Sequence, residues 1–585
     1  MNKNEYIQNK GLRTFFIASV LTSVITQLNS LIDGMIVSHF ISPDALSAIS
    51  LATPVMSILY LFAGMISLGA SVLVTKEIGM QNHTNVARLF TSSIIIATAV
   101  TIIAAAGLIV FSDNVAMFLT KEERLLPLLQ SYLPVTFLGS VAVVLFSLAM
   151  GFVKMIGHPE KVTRAVVIST IANICLDILF VGVLSLGISG AAWATILSVL
   201  AACLYLLPSL FKKNSIIKWV KPQNSWFFPC SNNLVINGVP AAVGSVATAV
   251  LFALLNTLVM KAQGADGMFI LSVCLQMMML SMLVLGGAAG AVAGIGGVML
   301  GESDIDGYRS LVTGILKKSA IGLVAISTIL MIYPDMLARM FGASDELLAT
   351  ARGPLKVFCL SLLPLGLVTI LDSSYLLQGH NILSSITQTL YVVCLIPLVW
   401  LATLFRPEYF WWAVTAGLWL MLLILICCSF VISRKHRDLH WFTLISKYPN
   451  DPSISLSVNY DKSSVKEALD RIHSFLDICE LNESLYYKVD SCLDELTGNL
   501  ISMTEYTGKK GSFDLRVVDD GKKITIIMKD DGKPYNPIVK YNAEEGNSIE
   551  ETNLALVILN AFCPDLNYKY MNGINCVYMN FQYGK

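Results

Sequence analysis

The feature that most constrains this chain is a run of apolar segments, each about 20 residues long or longer, recurring from about residue 14 to about residue 433. A helix rising 1.5 Å per residue needs roughly that length to cross a hydrocarbon core of about 30 Å. Within lipid, a helix is the element that satisfies its own backbone over such a run. The pattern predicts twelve spans, at about 14–40, 45–75, 89–111, 129–153, 163–186, 188–211, 236–260, 268–299, 311–333, 354–378, 385–404 and 411–433. Composition agrees: 55% of the 585 residues are hydrophobic and 14% charged, which excludes a wholly soluble globular protein. Lys plus Arg and Asp plus Glu each total 40, and no basic stripe is interleaved with aromatics, so nucleic acid is not an expected partner. Lys3, Lys10 and Arg13 precede the first apolar run in the manner of a signal peptide. That run is too long and has no small-residue cleavage site, so it is expected to stay as the first span. The cysteines show no CxxC pair and no His partners at metal-ligand spacing, so reduced structural thiols are expected.

Basic residues such as Lys76, Arg88, Lys154, Lys161, Arg164, Lys212, Lys317 and Arg434 fall in alternate loops. By the positive-inside rule this places both termini in the cytoplasm. The spans form two versions of one unit. Leu28 through Asp33 to Val37 has a counterpart from Leu251 through Asn256 to Val259, and the Gly79 turn before Arg88 has one in Gly301 before Arg309. Past Arg434 the character changes. Strands such as ITIIMK alternate with amphipathic helices such as SSVKEALDRIHSFLDI. The expected organisation is a first lobe of six helices at 1–222, a second at 223–435, a juxtamembrane linker at 436–451 and a cytoplasmic α+β domain at 452–585, its sheet covered by helices on one face.

Ionisable groups inside a membrane are costly and point to function. Asp33, Asp177 and Thr195 sit at a similar depth, about 10 Å below the external surface at helical rise, and Asn173 lies one turn before Asp177 on the same face. Four oxygen-bearing side chains could thus converge in the first lobe, as a cation site for Na⁺ or as a carboxylate pair sharing a proton. Asp372, beside Ser373 and Ser374 in the tenth span, is open to a structural or a functional role, and Asn256 cannot titrate. Met277, Met278, Met279 and Met282 enrich the eighth span, where packing is the plainer reading and an adaptable binding surface the alternative.

LIDGMIVSHF, ALSAISLATPV, the Gly79 turn, FVKMIGHPEK, IANICLDILFV and GAAWATILS follow one another in an order that resembles the multidrug and toxic compound extrusion family, over about residues 10 to 435. The resemblance implies a twelve-helix antiporter of the bacterial inner membrane, with two lobes opening alternately while H⁺ or Na⁺ enters and amphiphilic or cationic organic compounds leave. It places the cation site at Asp33, Asn173, Asp177 and Thr195. Lys154 stands where the family has Arg, and Ala149 and Met150 where some members have Asn, which leaves the coupling ion open. Lipid or saccharide flippases of the same superfamily are the alternative function; several Arg lining the cavity would be expected of them.

The tail resembles the ATP-binding domains of anti-sigma-factor serine kinases and histidine kinases. Glu495 and Asn499 in CLDELTGNLI match the helix on which Glu acts as base and Asn holds Mg²⁺; Asp530 and Gly532 in MKDDGKPYNP match the turn that binds adenine. Where the family has a glycine-rich lid, this chain has EETNLALVIL, which argues against kinase or ATPase activity. An ATP/Mg-binding tail, a docking surface for a cytoplasmic protein, and a membrane sensor acting through the tail are the expectations that follow.

Overall fold

The computed structural model describes residues 6–211, 217–340, 345–448, 451–479, 481–507, 511–534, 537 and 558–583. Twelve helices are long and apolar enough to cross a membrane, from Tyr6–Val37 to Pro407–Lys435. The chain divides into two compact units. One comprises Phe16–Glu302 with Leu311–Lys447; the other joins Tyr448–Lys585 to Met1–Phe15 and Ser303–Ser310.

The helical elements before the tail are α1 (Tyr6–Phe40), α2 (Pro43–Gly79), α3 (His83–Val110), α4 (Ser112–Leu119), α5 (Leu126–Met155), α6 (Pro159–Asp177), α7 (Gly187–Leu210), α8 (Asn224–Ala291), α9 (Gly297–Gly301), α10 (Ile305–Ile332), α11 (Pro334–Met340), α12 (Asp345–Cys359), α13 (Leu362–Leu377), α14 (Asn381–Phe405) and α15 (Phe410–Lys435). Their ends follow local chemistry. Ser42 accepts a hydrogen bond from Ala45 N at 3.1 Å with Pro43 in the first turn of α2, and Asn82 caps α3 through Asn85 N at 3.2 Å.

Three spans depart from the expected outline. The seventh and eighth, expected at 236–260 and 268–299, are separate as expected, α8 being two helices that meet at a non-helical break at Gly264 (φ 62°, ψ −145°). The eighth then passes through a π-helical turn, Val292–Gly296, into α9. The tenth, expected as one helix at 354–378, is split into α12 and α13. Pro364 has no N–H to return to the Leu360 carbonyl, and Trp419 Nε1 donates to that oxygen instead, at 3.2 Å. The fifth span continues α6 as a π-helix, Ile178–Val183, with Leu184 N donating to Leu179 O five residues back at 2.8 Å.

The repeat glycines meet. A Cβ on Gly79 would stand 2.2 Å from Val298 O, and one on Gly301 would stand 2.1 Å from Lys76 O. A second crossing of the same kind joins α2 to α8: a Cβ on Gly69 would lie 2.1 Å from Leu234 O, and one on Gly238 would lie 2.1 Å from Met65 O. The two halves therefore approach backbone to backbone, a distance that any side chain would prevent.

After α15, residues 436–447 fold back as a turn with a bridge between Leu439 and Ser446. Tyr375 Oη donates to Phe442 O at 2.7 Å and Gln378 Nε2 to Thr443 O at 3.1 Å, which pins this segment to α13.

In the other unit, β1 (Ser453–Asn459), β2 (Ser512–Asp519), β3 (Lys523–Asp530), β4 (Asp565–Met571) and β5 (Ile574–Gln582) form an antiparallel sheet in the order β1-β2-β3-β5-β4. Side chains alternate along each strand, so Val517, Ile526, Met528, Val577 and Met579 point to one face. There they pack with Ile472, Leu476, Val489 and Leu493 of α16 (Lys462–Ile478) and α17 (Glu483–Thr507). The opposite face carries Ile527, Cys576 and Tyr578, and Ile7 of α1 joins them with Ile574 in a second buried cluster.

Candidate functional site

Three arrangements of polar groups stand out. The first lies in the amino-terminal lobe. α1 brings Asp33 near its end and α6 ends at Asp177, where the helix changes from α to π; that widening is a frequent device for turning a side chain inward at a working site. Asp177 is 0% and Asn173 2% exposed. The two carboxyl groups are close enough to interact electrostatically. Both oxygens of Asp177, Oδ1 of Asp33 and Nδ2 of Asn173 are buried without a hydrogen-bond partner among the described residues. Two facing acceptors satisfy nothing until a proton or a cation lies between them, and unmet buried carboxylates are expensive. Thr195 donates its hydroxyl to Ala191 O on its own helix at 3.1 Å, which leaves the oxygen's lone pairs as its remaining capacity.

Two further residues belong to this neighbourhood. Asn29, one turn before Asp33 on α1, has a buried Oδ1 without a partner among the described residues. Tyr132 of α5 stands close to Asp33. The i, i+4 spacing from Asn29 to Asp33 was available in the sequence as a signal. Tyr132 carried none, because its placement depends on how α5 packs.

The second arrangement is a cavity of about 610 Å³ in the carboxy-terminal lobe, within the size range that holds a drug-sized molecule. α8 supplies Phe252, Met278 and Met282, α14 Gln388 and Tyr391, and Trp411 closes one side, with Leu68 and Val72 of α2 completing the wall. Among the lining residues Asp372 is the one carboxylate, and none is Arg or Lys. Gln388 Nε2 donates to Asp372 Oδ2 at 2.8 Å, while Oδ1 is buried without a partner among the described residues. The methionine cluster divides. Met277 is buried, Met278 and Met282 face the cavity, and Met279 is exposed. Asn256, the repeat counterpart of Asp33, lies on an exposed face of α8. Gln388 and Tyr391 went unnoticed in sequence, although a Gln within an apolar span was the available signal.

The third arrangement is in the tail. Glu495 and Asn499, both half-buried, sit four residues apart on α17. Asp530 ends β3 with 0% exposure, its Oδ1 accepting from Gly532 N at 2.7 Å and from Asn575 Nδ2 at 2.9 Å. Tyr568 Oη in turn donates to Asn575 Oδ1 at 2.7 Å. Burial first, then the carboxylates of Asp530 and Asp531, push the Tyr460 phenol above its ordinary range, so it remains a donor at neutral pH. Of the segment EETNLALVIL, residues 550–557 lie outside the described residues.

With these geometries in hand, comparison with known proteins gives two family matches. The MatE family model matches residues 18–179 and again 240–401, once in each half of the chain. The model of the histidine kinase-like ATPase domain matches residues 458–581. The chain is 28% identical over 234 residues to the multidrug export protein MepA of Staphylococcus aureus (strain NCTC 8325 / PS 47), covering 39% of this chain and 51% of that protein. It is 22% identical over 244 residues to the probable multidrug resistance protein YoeA of Bacillus subtilis (strain 168), covering 40% of this chain and 53% of the relative. The chain thus spans about half the length of the curated relatives it matches. Among solved structures, the outward-facing conformation of a multidrug resistance MATE family transporter of the MOP superfamily aligns with a TM-score of 0.66 at 18% identity, over 74% of this chain and 98% of that one. A MATE structure in complex with MaL6 aligns with the same TM-score at 19% identity, over the same shares of the two chains. Likeness at this level of identity speaks for the fold.

Proposed function

Because the chain belongs to the MatE family, we propose that it is a secondary active antiporter that exports amphiphilic or cationic organic compounds in exchange for H⁺ or Na⁺. The observation that carries this reading is the pair of unmet, facing carboxyl groups at Asp33 and Asp177. Such a pair binds a proton or a cation far better than it tolerates two bare charges, so its occupancy changes how α1 packs and biases the two lobes. Asn173 and Thr195 complete the oxygen set. Both termini face the cytoplasm of a bacterial cell in this scheme.

The cavity around Asp372 suits the exported compound. Its walls are apolar and aromatic, and one carboxylate with a free oxygen supplies the attraction for a positive charge. A flippase for anionic lipid-linked saccharides would need cationic groups there, and none lines it. The deciding experiment is transport of a cationic dye in proteoliposomes under separately imposed pH and Na⁺ gradients. Efflux driven by neither gradient would refute the antiporter. Asp372→Asn is expected to weaken binding of a monocationic dye by about tenfold, roughly 1.4 kcal/mol, and to leave a neutral dye of similar size nearly unaffected. Fluorescence titration of the purified protein measures both.

The tail carries a second reading, as a nucleotide-binding regulator, supported by the match over 458–581 and by the buried Asp530 at a strand end. Asp530 would accept from the adenine amino group and Asn499 would hold Mg²⁺. Asp530→Asn should lower the affinity for a fluorescent ATP analogue by about tenfold in the full-length protein. Equal affinity in wild type and variant would leave the tail as a surface for a cytoplasmic protein.

A further inference from the structure

We propose that the carboxy-terminal domain is a clamp on the start of α1, closed in this structure, which has to open for transport. The inference rests on the antiporter reading and adds a regulatory part to it. It starts from strand alternation. Helices cover one face of the sheet, so the other is expected to be polar and wet. Instead Ile527, Cys576 and Tyr578 are 3%, 6% and 0% exposed on that other face, and the side chain that closes over them with Ile574 is Ile7 of α1, itself 2% exposed. A Cβ on Gly11 would stand 2.8 Å from Ile574 Cδ1, so the helix lies directly on the strand end.

Two polar anchors frame this apolar contact. Asp531, with a side chain 1% exposed, pairs with Lys10 and accepts from Tyr6 Oη at 3.0 Å. Arg516, on the strand next to β3, donates to Ser303 O at 2.9 Å and reaches Asp304 Oδ1 at 3.4 Å. Opening would break the Lys10–Asp531 pair and uncover the apolar cluster together, so it is a discrete event. Lys10 and Asp33 belong to one helix, Tyr6–Phe40, so a restraint on its first turns opposes any change of axis that ion binding at Asp33 demands. Asp531 also follows Asp530 directly, and Tyr460 reaches Asp531 at 3.4 Å, so a ligand held at Asp530 would act on the same anchor.

Cys576 supplies the test without altering the contact, because it is covered while the clamp is closed. In the full-length protein in liposomes, with every other natural cysteine replaced, alkylation of Cys576 by N-ethylmaleimide should accelerate about fivefold or more when the driving ion gradient is imposed. In the same background Ile7→Cys should form a disulfide with Cys576 on oxidation, reduce dye efflux by about tenfold, and recover with reductant, each preparation serving as its own folding control. Failure of the disulfide to form would mean that the contact is not populated. A disulfide formed with efflux unchanged, or labelling indifferent to the gradient, would overturn the requirement for opening. Disulfide yield and labelling are read without transport, so failure of the clamp is distinguished from failure of the antiporter.

Discussion

Proteoliposomes carrying Asp177→Asn, or Asp33→Asn, are expected to lose gradient-driven dye efflux by well over tenfold while the protein still folds. The reason lies in what the pair can do. Two facing carboxyl groups with orphaned buried oxygens need a shared proton or a bound cation. An Asn in place of either Asp donates to the remaining carboxylate directly, so the site becomes satisfied without any ion. Coupling is then lost because occupancy no longer changes anything. Stability should be preserved or improved, since removing a buried charge spares its desolvation. Efflux under an imposed gradient and the melting temperature, measured on the same preparation, check both halves. Undiminished efflux in both variants would remove these residues from the mechanism.

Gly79→Val and Gly301→Val are expected to be nearly as damaging, by a purely steric route. A Cβ at these positions would meet backbone carbonyls at 2.2 and 2.1 Å. Ordinary contact requires the helices to part by about 1 Å, which a close-packed interior transmits across the interface. We expect efflux to fall by about tenfold or more and the melting temperature to drop. Gly107→Ala is the control, since nothing lies within 4 Å of its Cβ position and an exposed helical glycine replaced by alanine gains about 0.5–1 kcal/mol. Wild-type rates and melting in Gly79→Ala would show that the crossing tolerates separation.

How much of this was legible in the sequence depended on how local the cause was. Twelve spans were readable because length and apolarity of a run are local and the bilayer imposes a single solution. Splitting of a span was less so. The break before α13 has a local signal in Pro364, but that it becomes a full break depends on a partner elsewhere, Trp419 taking the Leu360 carbonyl that Pro364 leaves without a donor. Asp33 and Asp177 were nameable because an ionisable group in an apolar run is conspicuous, and Asn173 because it lies one turn before Asp177 on the same face. Asn29 and Tyr132 beside them, like Gln388 and Tyr391 beside Asp372, take their place from helix rotation and packing.

By itself the sequence determined the medium, the number of spans, the repeat and the change to an α+β tail, since each is written in the periodicity of a contiguous segment. It takes the folded chain to bring Gly79 to the neighbourhood of Gly301, to turn Met278 rather than Met279 into a cavity, and to bind Ile7 and Lys10 to a sheet more than 500 residues later. These are contacts between surfaces whose complementarity is a property of pairs. No periodicity along one segment records which other segment will cover it.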